Sequence, residues 1–208
     1  MKGEVSQLLS DLKESEVLET VKRLIAEGAD PNTVLDACQE GMVIVGERFE
    51  NGEYFISDLM MAGEIFKEIN EVLGPRLVGS AGKSAGKVVF GTVQGDIHDI
   101  GKDLVVGLLR ASNFEVTDLG VDVPPQRFVE ALKDTGAPIL ALSGLLTVAF
   151  DAMKATVDAV TAAGLRDKVK IVLGGAPVDE TVVRYAGADA AGGDAQNGVN
   201  LCRRWSSS

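Results

Sequence analysis

The sequence predicts a four-helix bundle followed by a doubly wound α/β domain with a five-stranded parallel sheet. Three observations carry this. Up to about residue 74, apolar residues recur only at helical spacing. From Val88 onward, five short apolar runs alternate with helical segments. Between them, Pro75 to Lys87 is small and polar, the composition of a linker. The expected boundaries are 1–76 for the bundle, 77–87 for a flexible linker and 88–208 for the sheet domain.

In chain order, Leu8, Leu9 and Leu12 begin a short first helix. Ser15 is placed to cap a second, with Val17, Val21, Leu24 and Ile25 on one stripe and Gly28 at its end. Asp30-Pro31 restarts the chain as an N-cap acid with proline at the first helical position. Val34, Leu35, Met42, Val45 and Phe49 continue that helix until Asn51-Gly52 breaks it. Ser57 is placed to cap a fourth, carrying Leu59, Met60, Ile65, Ile69, Val72 and Leu73, and Gly74-Pro75 stops it. Short connections imply antiparallel neighbours.

Strands are expected at Val88–Thr92, Phe114–Val116, Ile139–Ser143, Ile171–Leu173 and near Ala188–Ala191. Helices are expected near Ile100–Ser112, Pro125–Asp134, Ala149–Ala163, Glu180–Tyr185 and Ala195–Arg204. This βα alternation is that of a Rossmann/flavodoxin-like sheet, whose chemistry lies in the loops at the carboxyl ends of the strands.

With 31 acidic against 20 basic residues, the net charge of -11 argues against a nucleic-acid surface. Cys38 and Cys202 have neither metal-type spacing nor a disulfide pattern, which suggests a reducing compartment. The first residues lack the apolar core of a signal peptide, and the uncharged run Thr135–Phe150 holds no stretch long enough to span a bilayer. The expectation is a soluble, cytoplasmic protein without membrane partners.

The loops must decide what the sheet holds. Gly91 and Gly95 do not make the dinucleotide spacing. Asp96 and Asp99 would repel a phosphate after the first strand. A receiver site would need an aspartate where Ser143 stands, and a lysine that is absent after the fifth strand. The loop does offer the chain's only histidine, His98, with Asp96 two residues upstream. A carboxylate commonly orients a metal-bound imidazole in this way. One histidine without nearby cysteines cannot hold zinc or iron alone, so a metal would have to arrive already ligated, as in a tetrapyrrole-like macrocycle. The plainer alternative is a loop histidine bonded to Asp99. Leu142-Ser-Gly-Leu-Leu-Thr147 adds two hydroxyls at the end of the third strand, and Leu173-Gly-Gly-Ala-Pro177 either a side-chain-free wall for a ligand or a turn with positive φ after the fourth.

Asp96-x-His98-x-x-Gly101, Ser143-x-Leu145 and Gly174-Gly175 together resemble the B12-binding signature of corrinoid proteins. The whole chain is similar to the small two-domain corrinoid proteins of methyltransferase systems and to the cobalamin-binding module of methionine synthase. The resemblance implies cobalamin or a related corrinoid, with methylcobalamin as the carrier form and His98 as the lower axial ligand of cobalt ("base-off, His-on"). Asp96 would orient His98 and share its proton. Gly95, Ile97, Asp99 and Gly101 would complete the loop beneath the ring, and Leu145 would stand in the second loop. Ser143 and Thr147 would bond the displaced nucleotide tail or corrin side chains. Gly174 and Gly175 would line the tail's slot, with Asp194 and Ala195 at its far end. The bundle would cap the upper corrin face through Phe55 and Leu59 and swing aside on the linker. Two positions depart from the pattern. Ser57 stands where a proline is usual. Ala149 stands where methionine synthase has a hydroxyl residue, so the proton relay is expected to end at Asp96 or to pass through water or Thr147.

The function implied is that of a non-catalytic corrinoid subunit shuttling a methyl group between two enzymes. One is a substrate-specific methyltransferase; the other is a methyl-accepting methyltransferase using tetrahydrofolate or a thiol. A reductive activator is a further expected partner. A B12-dependent sensor or regulator is the alternative. The detached cofactor domain of a mutase is disfavoured because such modules lack the helical cap.

Overall fold

A computed structural model describes residues 2–73 and 84–206. The chain divides into two compact units, Met1–Ser84 and Ala85–Ser208.

The first unit contains α1 (Lys2–Ser10), α2 (Glu14–Ala26), α3 (Pro31–Glu50) and α4 (Ile56–Leu73). Its core is the apolar stripe expected from the spacing, including Leu9, Val17, Val21, Val34, Val45, Leu59, Ile65, Ile69 and Leu73. Helix α3 packs on both α1 and α4. Gly41 permits the α1 approach, because a Cβ there would lie 2.9 Å from the Ser6 carbonyl oxygen. Asp30 caps α3 as expected, accepting from the backbone N–H of Asn32 and Thr33.

The other two caps differ from expectation. Helix α2 begins at Glu14, so Ser15 lies inside its first turn, and Lys13 precedes it without a side-chain cap. Helix α4 begins at Ile56, so Ser57 is also internal. The Asp58 carboxylate instead accepts the Phe55 N–H at 2.7 Å, the reach-back half of a capping box. In both places the serine competed with an acid or a bare turn one or two residues away.

The second unit alternates β1 (Gly86–Thr92), α5 (Ile100–Ala111), β2 (Phe114–Asp118), α6 (Pro125–Thr135), β3 (Ile139–Ser143), α7 (Ala149–Ala162), β4 (Lys170–Gly174), α8 (Glu180–Ala186), β5 (Ala190–Ala191) and α9 (Ala195–Ser206). Strand β1 starts at Gly86, paired with Phe114, so it takes in the last two residues of the expected linker. Residues 77–83 of that linker lie outside the described residues.

The sheet is parallel with order β2-β1-β3-β4-β5. One face carries Val89, Val93, Leu140, Leu142, Ile171 and Leu173 against Phe128, Met153, Val157 and Val182 of α6, α7 and α8. Helices α5 and α9 pack together on the other face, over β1, β2 and β4. Strand order reverses between β1 and β3, the point at which open α/β sheets form a crevice. Among the described residues no helix is long and apolar enough to cross a membrane.

Candidate cofactor site

The loops after β1 and β3 meet at that switch point. Asp96 joins them. Its Oδ1 accepts the His98 backbone N–H at 2.9 Å and lies 2.7 Å from His98 Nδ1. Its Oδ2 accepts the N–H of Leu145 at 2.7 Å and of Leu146 at 3.2 Å. Burial of this carboxylate, 1% exposed, would raise its pKa, but the hydrogen bonds from His98, Leu145 and Leu146 outweigh that and hold it at about 2. Asp96 is therefore an anion, able only to accept, and Nδ1 must carry the proton. The His98 side chain is 47% exposed.

The hydrogen-bond partner of the lone histidine is Asp96, not Asp99. Asp99 precedes α5 without a side-chain capping bond, and its carbonyl accepts the Asp103 N–H. Both Asp96 oxygens accept from His98 and two backbone amides, and among the described residues no side-chain hydroxyl is bonded to them. Ala149 is buried, and Thr147 lies exposed with its carbonyl accepting from Phe150.

Thr92, Ser143 and Gly174 stand side by side as the last paired positions of β1, β3 and β4. Side-chain alternation turns them to the α5–α9 face, so this rung holds nothing larger than a threonine. The Thr92 hydroxyl donates to the His98 carbonyl at 3.0 Å, fixing the end of the loop. Thr92 was legible only as a strand residue. Its role follows from register, which the sequence does not print.

The glycines separate by cause. A Cβ at Gly101 would meet nothing within 4 Å, and one at Gly174 only the Leu142 carbonyl at 4.0 Å. Packing within the protein does not require glycine at either, so both leave open space at the site. Gly175 has its own reason within the fold: its φ is +138°, and a Cβ would fall 1.9 Å from the Gly144 carbonyl oxygen. Gly95, also left-handed, turns the loop. Asp194 caps α9, accepting from the Asn197 N–H at 2.8 Å, and Ala195 opens that helix.

The loops that carry and adjoin His98 hold several exposed apolar side chains. Ile97, Ile100 and Val148 are each at least 70% exposed, and Leu145 and Leu146 more than 40%. Exposed apolar surface of this kind is where a ligand or a partner binds. Among the described residues, no group of three or more His, Cys, Asp or Glu side chains is placed to hold a metal ion. In the helical unit Phe55 is 71% exposed, alongside Ile56, Met60 and Met61, whereas Leu59 is fully buried in the core.

The site thus combines a doubly wound sheet, one imidazole oriented by a carboxylate at the switch point, exposed apolar loop residues and a rung of small side chains. A B12 binding domain profile matches residues 86–200, and a second B12 binding domain profile matches residues 3–73. The chain belongs to the B12-binding corrinoid proteins of methyltransferase systems and binds a corrinoid. It is 35% identical over 196 residues to dimethylamine corrinoid protein 3 of Methanosarcina acetivorans, covering 94% of this chain and 92% of that one. It is 37% identical to trimethylamine corrinoid protein 1 of the same organism, with the same coverage. A cobalamin-binding protein from Desulfitobacterium hafniense superposes with a TM-score of 0.82 at 43% identity, covering 99% of this chain and 98% of that one. The methanol:cobalamin methyltransferase complex of Methanosarcina barkeri gives a TM-score of 0.86 at 28% identity, over 98% of this chain and 78% of that one.

Proposed function

We propose that this protein is a methyl carrier that holds its corrinoid base-off, with His98 Nε2 as the lower axial ligand, and serves two methyltransferases in turn. The observation that carries the reading is the Asp96–His98 pair. The 2.7 Å contact holds Nδ1 against the carboxylate and leaves Nε2 as the ring nitrogen that would meet cobalt. When bound, the corrinoid supplies the nucleophilic cobalt to which a methyl group is transferred.

The chain's residues supply position and shielding. Ile97, Ile100, Leu145, Leu146 and Val148 form an apolar surface around the imidazole that excludes water once covered. Ser143 offers a hydroxyl and Gly174 open space to the displaced nucleotide tail, with Thr147 at the rim. Asp96 holds the Nδ1 proton in place and has no further hydroxyl to pass it to.

The donor side would be a separate substrate-binding methyltransferase, as in the methanol:cobalamin methyltransferase complex to which this chain is similar. The acceptor side would be a second methyltransferase bearing tetrahydrofolate or a thiol, with a reductive activator to restore the working cobalt state. His98→Ala tests the ligand assignment: the bound corrinoid should lose the visible spectrum of nitrogen ligation. An unchanged spectrum with unchanged methyl transfer removes His98 from the role.

A further inference from the structure

We infer that Asp122, in the loop between β2 and α6, is a positioning residue for His98; this rests on the ligand role proposed above. The Asp122 Oδ1 accepts the Gly95 N–H at 2.8 Å, and the Asp122 N–H donates to the Asp96 carbonyl at 2.9 Å. One residue thus grips the two peptide groups that lead into the Asp96–His98 pair. Val123 continues the contact, forming a parallel bridge with Val93 and donating its N–H to the Thr92 carbonyl at 3.0 Å.

An aspartate in a turn ordinarily bonds its own backbone two residues on. Asp122 instead reaches a loop 27 residues away in sequence, and holds a left-handed φ of +52° to do so. That conformation is uncommon outside glycine, and aspartate and asparagine are the residues that take it most readily. The loop carrying Asp122 is itself braced. The Asp118 carboxylate accepts the Gly120 N–H at 2.9 Å and the buried Lys102 ammonium at 2.7 Å. Lys102 stands in the first turn of α5, directly after the histidine loop. The His98 loop is therefore held from both ends by one neighbouring loop. Asp96 fixes the ring, and Asp122 fixes Asp96.

The carboxylate of Asp122 is exposed, so its loss should leave the fold standing while loosening the ring. Asp122→Gly keeps the left-handed backbone and removes only the acceptor; Asp122→Asn keeps an acceptor and tolerates the same φ. Because His98 is the only histidine of the chain, nitrogen-labelled histidine in the untagged, corrinoid-free protein reports its ring alone. The unaltered protein and Asp122→Asn should show one tautomer, protonated at Nδ1. Asp122→Gly should show a mixture, with cobalamin affinity about tenfold or more weaker, as when an outer partner of a metal ligand is lost. A single Nδ1-protonated tautomer and unchanged affinity in Asp122→Gly overturn the inference.

Amide hydrogen exchange of the unaltered protein adds a check that needs no variant. The Gly95 amide should exchange slowly; exchange as fast as that of an unbonded loop amide overturns the inference. Tautomer and exchange are read without cofactor. A corrinoid that binds without histidine nitrogen would therefore contradict the ligand proposal while leaving these readouts intact.

Discussion

Asp96 grips His98 twice through one oxygen, at the backbone N–H and at Nδ1, while its other oxygen closes on the amides of Leu145 and Leu146. The carboxylate therefore sets the ring's tautomer and ties the loop after β1 to the loop after β3. Asp96→Asn cannot replace it. In either orientation the amide NH2 faces donors, against His98 or against the two backbone N–H groups. The expected result is a folded protein with corrinoid affinity lower by about 10- to 100-fold, measured by titration with aquocobalamin.

The same pair predicts a dependence on acidity. The Asp96 pKa falls from 3.8 to about 2 on folding, so the folded state binds the proton less readily than the unfolded one. The contribution, about 2 kcal/mol by linkage, is present above about pH 4 and is lost as the pH falls toward 2. Denaturant unfolding of the unaltered protein and of Asp96→Ala should differ most at neutral pH. The two curves should approach one another near pH 2.

Gly174 and Gly175 should behave differently although they are adjacent. Gly175→Ala forces a Cβ onto the Gly144 carbonyl at an unfavourable φ and should destabilise the α/β unit by about 2 kcal/mol or more, seen in its denaturation midpoint. Gly174→Val should fold and take up a corrinoid lacking the nucleotide tail better than intact cobalamin. Equal loss for both ligands would remove the tail from that slot.

The helical unit offers a control. Leu59→Ala opens a cavity in its core and should cost about 2–5 kcal/mol, whereas Phe55→Ala, at a side chain 71% exposed, should change stability by no more than about 0.5 kcal/mol. Thermal denaturation separates them.

Much of this was legible in the sequence, for physical reasons that differ by element. Short apolar runs and helical stripes gave the strand–helix alternation, because burial on two faces or one leaves that pattern directly. Asp30-Pro31 gave the start of α3, since both residues act locally. Ser15 and Ser57 did not give their caps: a serine near a helix start is compatible with several registers, and the reach-back bond from Asp58 to Phe55 selected one of them. At the site, Asp96 and His98 were visible because they share one short loop. Thr92, the amides of Leu145 and Leu146, and Asp122 were not, because their contacts depend on strand register and on backbone groups that carry no residue signature. Gly175 read as a ligand wall or a turn with positive φ, and its φ of +138° beside the Gly144 carbonyl is that of such a turn.

The central claim is that the one histidine of this chain binds cobalt. Its most direct test is electron paramagnetic resonance of the protein loaded with Co(II) corrinoid, with ordinary and with nitrogen-15-labelled histidine. The three-line splitting from one axial nitrogen should become a two-line splitting when His98, the sole histidine, carries the label. A three-line pattern that persists with labelled histidine, or no axial nitrogen splitting at all, would contradict it.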